Sequence, residues 1–104
     1  MNVKPVYLSV VLALFAVFSS VQADEGEDLY KAKGCTTCHG PAGISIAPVW
    51  PNIAGQHKDY LLAQMKDIKS GKRNNGMSVT MQAIVANVSD DEMAKIADWL
   101  SKQK

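Results

Sequence analysis

Cys35-Thr36-Thr37-Cys38-His39 decides how the rest of this 104-residue chain is read. The stretch has the form C-x-x-C-H, the pattern through which a c-type haem is attached. Thiols three residues apart on a helical turn project to one side. They can add to the two vinyl groups along one haem edge, and the next residue, His39, offers its imidazole to the iron. One short segment then fixes a porphyrin covalently and supplies an axial ligand.

Three plainer readings compete. A C-x-x-C can be a redox dithiol, but that role wants a βαβ surrounding, and no strand-like run flanks the motif. A structural zinc site needs four ligands. The Cys and His residues here are Cys35, Cys38, His39 and His57, and the neighbours Cys38 and His39 are poorly placed to share one tetrahedral metal. A disulfide across so short a loop is strained. Covalent haem is therefore the expectation, provided the rest of the chain agrees.

The first residues point to export. Met1 to Tyr7 carry Lys4, and Leu8 to Phe18 is apolar apart from Ser9. Val21-Gln22-Ala23 offers the small residues that a signal peptidase reads. Cleavage after Ala23 is expected, leaving residues 24–104 as one domain. The apolar run is short for a membrane span of about 20 residues, so no stable membrane insertion is expected after cleavage. Beyond the leader, Lys and Arg equal Asp and Glu at ten each. A neutral polypeptide gives no reason to expect nucleic-acid binding and no strong field to steer a partner. So short a chain builds a poor core unaided, and a large apolar cofactor would remedy that.

Three helices can be argued. Glu25 to Lys33 opens with Asp24, Glu25, Glu27 and Asp28, which suit a positive helix N-terminus, and Gly34 is a plausible stop. Gly40 to Gly55, rich in Gly and Pro, reads as an extended loop that needs a surface to pack on. His57 to Ser70 carries Tyr60, Leu61, Met65 and Ile68 as an apolar stripe, with Gly71 as a C-terminal cap. The last helix starts at a capping box, Ser89 with Glu92 three residues on. Met93, Ile96, Ala97 and Leu100 then follow at helical spacing.

With a leader, an N-terminal helix, C-x-x-C-H, a Pro/Gly loop and a C-terminal helix, the chain resembles the class I c-type cytochromes. Pro48-Val49-Trp50-Pro51-Asn52-Ile53-Ala54-Gly55-Gln56 is similar to the P-x-x-P-N-[LI]-A-G-Q segment of the cytochrome c4/c553 group. Gly71-Lys72-Arg73-Asn74 and Val85-Ala86-Asn87-Val88-Ser89-Asp90 resemble its later landmarks. The resemblance spans nearly all of residues 24–104. It implies an all-α, small cytochrome c fold, with about three to four helices wrapped around one haem c bound through Cys35 and Cys38. It further implies that Gly26 and Tyr30 pack against Trp99 and Leu100. The Pro48 carbonyl would accept the His39 ring N–H and so strengthen its donation to iron. Arg73 would pair with a haem propionate, although as a lone basic residue it could equally be solvated.

The sixth iron ligand is the main open position. A methionine thioether is expected in an electron-transfer cytochrome, raising the potential. Met65 and Met93 lie on amphipathic faces, where core packing accounts for them. Met77 and Met81 fall in what reads as the loop between the last two helices. The family pattern, counted back from Ser89, favours Met81, while the length of the segment from Arg73 keeps Met77 open. His57 is a third candidate, but beside Lys58 and Asp59 an exposed polar role suits it better.

The expected function is periplasmic transfer of single electrons between redox proteins, without catalysis of its own, by a monomer whose donor and acceptor the sequence does not name. Two other classes stay open. One is a haem protein that binds ligands, senses gases or acts like a peroxidase, which needs a free or labile sixth position. The other is a redox subunit fixed to a dehydrogenase or oxidase.

Overall fold

The computed structural model describes residues 24–104, so the expected leader over residues 1–23 lies outside the described residues. Within 24–104 the chain forms five helices and no strand. Helix α1, Glu25–Ala32, starts on Asp24, whose carboxylate accepts the Gly26 N–H at 2.8 Å. Gly34 follows it in the left-handed region, at φ +84°. The haem-type motif itself is a single turn, α2, Thr36–His39, closed by the His39 N–H donating to the Cys35 carbonyl at 3.0 Å. Helix α3 covers Lys58–Ser70 and ends on Gly71 in the αL conformation, as the sequence suggests. Tyr60 departs from the expected stripe: it is exposed, whereas Leu61 and Ile68 are buried.

The segment expected as a loop before the last helix is itself a helix, α4, Ser78–Val85. It has no side-chain cap and no acid in its first turn, so the usual start signals are missing. Tertiary packing compensates, since α4 lies against α3. Helix α5, Asp90–Ser101, has both capping-box bonds: the Glu92 N–H donates to Ser89 Oγ at 3.1 Å and the Ser89 N–H to Glu92 Oε1 at 2.9 Å. Ser89→Ala should lower unfolding free energy by about 1 kcal/mol, measured as a drop in the urea midpoint at unchanged slope. An unchanged midpoint would mean that the cap contributes nothing.

Helix α5 is the centre of the packing, meeting α1 on one side and α3 on another. Its Met93, Ile96 and Leu100 are almost wholly buried. The α1–α5 crossing is close because position 26 has no side chain: a Cβ there would lie 2.6 Å from Trp99 Cβ and would overlap the Lys95 carbonyl oxygen. Tyr30 is fully buried beside Trp99, with ring centroids 5.0 Å apart. Its hydroxyl donates to the Gly40 carbonyl at 2.6 Å. The helix crossing is thereby tied to the residue that follows the C-x-x-C-H turn. The long loop after that turn is folded back on itself. The Ile53 and Ala54 N–H groups both donate to the Gly43 carbonyl, at 2.8 and 3.1 Å, and the Gly55 N–H reaches the Leu100 carbonyl at 2.9 Å.

Candidate functional site

A cavity of about 520 Å³ opens between α2, the folded loop and helices α3, α4 and α5. That size falls in the range of roughly 300–1,000 Å³ typical of cofactor sites. Its lining is mostly apolar, with Ile53, Leu61, Ile68, Val88, Ile96 and Leu100 among the contributors. A second depression, of about 360 Å³, lies by the start of α1 and is lined by Asp24, Glu25, Lys58, Asp91, Lys95 and Asp98. Those charges already pair with one another. Lys95 Nζ sits 2.7 Å from Glu25 and 3.2 Å from Asp91, and Asp98 lies 3.8 Å from Lys58. The apolar cavity is the site with chemistry left to do.

The structure brings Cys35, Cys38 and His39 together on one wall of the cavity. Cys35 and Cys38 form no disulfide with each other. Burial pushes the Cys35 thiol up to about 11, so it stays neutral at physiological pH. Desolvation likewise pushes the neighbouring Tyr30 hydroxyl up to about 12, which keeps its proton for the bond to Gly40. His39 is 5 % exposed, and its Nδ1 lies 3.0 Å from the Pro51 carbonyl oxygen. A carbonyl can only accept, so Nδ1 carries the hydrogen and the lone pair of the neutral ring rests on Nε2. That is the tautomer an iron ligand needs, and the hydrogen bond raises its basicity.

This geometry corrects the expectation for Pro48. Pro48 is exposed and does not line the cavity; Pro51, the second proline of the same segment, supplies the carbonyl. The reason is the fold-back of the loop. The paired hydrogen bonds to Gly43, with a 2.7 Å bond from the Ser45 N–H to Asn52 Oδ1, bring Val49, Trp50, Pro51 and Ile53 onto the cavity wall. Counting residues from His39 cannot register that turn. Trp50 also lines the wall, and its place inside a proline-flanked segment is the sequence signal for it.

Met77 and Met81 stand one turn apart at the head and in the body of α4. With Ile84, Val85 and Val88 they form one continuous face on the cavity. Met65 joins them from α3, where core packing alone was expected, whereas Met93 is fully buried away from the cavity. Met65 and Met81 pack against the core, and Met77 is exposed. His57 is exposed just before α3 and does not line the cavity. Arg73 stands at the rim, its guanidinium donating to Gln64 Oε1 at 2.9 Å.

The donor set suits an iron porphyrin. Among the described residues no group of three or more His, Cys, Asp or Glu side chains could hold a bare metal ion. What the cavity offers is one imidazole lone pair, neutral sulfur donors, two thiols spaced for vinyl addition and apolar walls. An iron enters such a site already held by its own macrocycle.

Residues 23–104 match the family model described as Cytochrome c. The chain is 46 % identical over 74 residues to cytochrome c4 of Pseudomonas aeruginosa, covering 71 % of this chain and 35 % of that one. It is 37 % identical over 82 residues to cytochrome c-554(548) of Halomonas halodenitrificans, covering 79 % of this chain and 96 % of the relative. The crystal structure of reduced recombinant cytochrome c4 from Pseudomonas stutzeri superposes with a TM-score of 0.70 at 27 % identity, over 79 % of this chain and 48 % of that chain. The chain thus spans about a third of the length of the P. aeruginosa relative and nearly all of the c-554(548).

Proposed function

This chain belongs to the cytochrome c family, with haem c held covalently through Cys35 and Cys38, and from that premise we propose that it is a periplasmic monohaem carrier passing single electrons between redox proteins. His39 and Met81 are the proposed axial ligands. The observation that carries the reading is the shared cavity, on which the His39 ring, with Nδ1 already bonded, and the Met81 thioether both stand.

Bound haem supplies a one-electron iron couple. Everything else is the work of the chain. The Pro51 carbonyl fixes the His39 ring and its tautomer. Met81 would offer the iron a soft, neutral sulfur donor, which favours the reduced state. The apolar walls from α3, α4 and α5 exclude water, so little solvent reorganises when charge changes. Arg73, held at the rim by Gln64, is proposed to face a propionate. Held by both His39 and Met81, the iron would have no open position for substrate, which is why we read the chain as a carrier and not an enzyme.

Transfer through the exposed edge of such a site needs only brief docking on a small interface. A neutral monomer suits that use. No described helix is long and apolar enough to cross a membrane.

Acid–acetone extraction followed by visible spectra tests the proposal. The pigment is expected to stay with the protein, and the ferric form to show the far-red thioether–iron(III) band. Carbon monoxide should leave the reduced spectrum unchanged at neutral pH. Pigment in the organic phase would remove the covalent haem. A carbon monoxide shift would transfer the chain to the ligand-binding class.

A further inference from the structure

Two lysines from different elements converge on the connector between α4 and α5. Lys33, the residue that closes α1 and stands two before Cys35, donates from Nζ to the Asn87 carbonyl at 3.0 Å. The same ammonium lies 3.5 Å from Glu92 Oε2, on the first turn of α5. Lys69, in the last turn of α3, donates from Nζ to the adjacent Val88 carbonyl at 2.6 Å. These carbonyls lie in the connector just past the C-terminal end of α4, between Ala86 and the Ser89 cap of α5. The Val88 side chain, 1 % exposed, lines the cavity. Lys69 therefore holds a residue that closes part of the cavity wall, and Met81 stands on the same wall.

We propose that Lys33 and Lys69 are positioning residues that strap the Met81-bearing helix to the haem-attachment segment, keeping the thioether against the iron. The inference rests on the Met81 reading given above. Lys33 spans the two sides of the site, because it joins the chain immediately before Cys35 to the chain immediately after α4. Lys69 secures the same connector from α3. Hydrogen bonds from an ammonium are stronger than neutral ones, and these two act just past the C-terminal end of α4, which closes on Ala86 without a side-chain or glycine cap. With both removed, α4 keeps its packing on α3 but its C-terminal end is free to shift, and the sulfur shifts with it.

The test uses the holoprotein as Lys33→Met, Lys69→Met and the double variant, titrated with imidazole. Imidazole competes with Met81 for the distal position, so its apparent affinity reads the fraction of molecules with the thioether released. Each single variant should bind imidazole roughly tenfold more tightly, and the double variant more tightly again, as expected for losing charged hydrogen bonds. The far-red band should weaken in parallel. Lys69→Arg, which keeps a cationic donor, should restore most of the parent behaviour.

Lys95→Met is the control. Lys95 also bridges two helices, α1 and α5, through Glu25 and Asp91, but it does not line the cavity or touch α4. It should lower the thermal midpoint without changing imidazole affinity. Unchanged affinity in the double variant, or an equal rise in Lys95→Met, would overturn the strap. Absence of the far-red band from the parent protein would instead sink the Met81 assignment beneath it.

Discussion

Met81→Ala should abolish the far-red thioether–iron(III) band and lower the reduction potential by roughly 0.1–0.3 V, within the ~0.8 V that axial ligands command. The physical reason is the loss of a soft sulfur donor that stabilises the reduced iron, replaced by water or by an added ligand. Carbon monoxide, expected to leave the parent untouched, should then bind the reduced variant. The cavity has three methionines on its walls, so the result is specific only in company. Met77→Ala and Met65→Ala should each keep the band. Met77 stands at the exposed head of α4 and Met65 on α3, while Met81 sits within α4 and packs against the core. Loss of the band in either of those two variants, with survival in Met81→Ala, would move the ligand to that residue. The folded state should survive in Met81→Ala, since Met93, Ile96 and Leu100 build the core without it.

The parts of this structure that sequence discloses are those governed by neighbours along the chain. The Ser89–Glu92 box and the glycine stops at Gly34 and Gly71 rest on interactions within four residues, and the apolar face of α5 on a spacing that repeats every three or four. Cys35, Cys38 and His39 are legible for the same reason, since the whole constellation fits in one helical turn. The helix α4 was hidden because its stability comes from α3 and from the cavity face, not from caps. Its period was nonetheless written in Met77, Met81, Ile84, Val85 and Val88. Pro51 was missed in favour of Pro48 because the loop reverses through long-range bonds to Gly43, and no local residue preference encodes that reversal. Met65 packs against the core as its amphipathic face implies, but a stripe on a helix does not say whether its neighbour is another helix or a cavity, and Met65 also lines the cavity.

Gly26→Ala should destabilise the protein, although an Ala for Gly in a helix ordinarily stabilises by roughly 0.5–1 kcal/mol. The sign separates local propensity from packing at the α1–α5 crossing. The added carbon would stand 2.6 Å from Trp99 Cβ and overlap the Lys95 carbonyl oxygen. Both belong to the backbone or the first side-chain atom of α5, so neither can rotate away. The helices must part instead, which loosens the contact between Tyr30 and Trp99 and the 2.6 Å bond from Tyr30 to Gly40. Overpacking of this kind costs about 2–3 kcal/mol, or a thermal midpoint lower by about 8–24 °C for a domain this small. Ala32→Val, on the exposed end of the same helix, provides the comparison, because it changes propensity without touching α5. Its cost should stay near 0.5 kcal/mol. Because Tyr30 links the crossing to the end of the C-x-x-C-H turn, Gly26→Ala should also loosen His39. Faster hydrogen exchange at the amides of His39 and Gly40 in the variant, and not in Ala32→Val, is the expected signature. A Gly26→Ala protein as stable as its parent would mean that α1 and α5 do not meet at this residue.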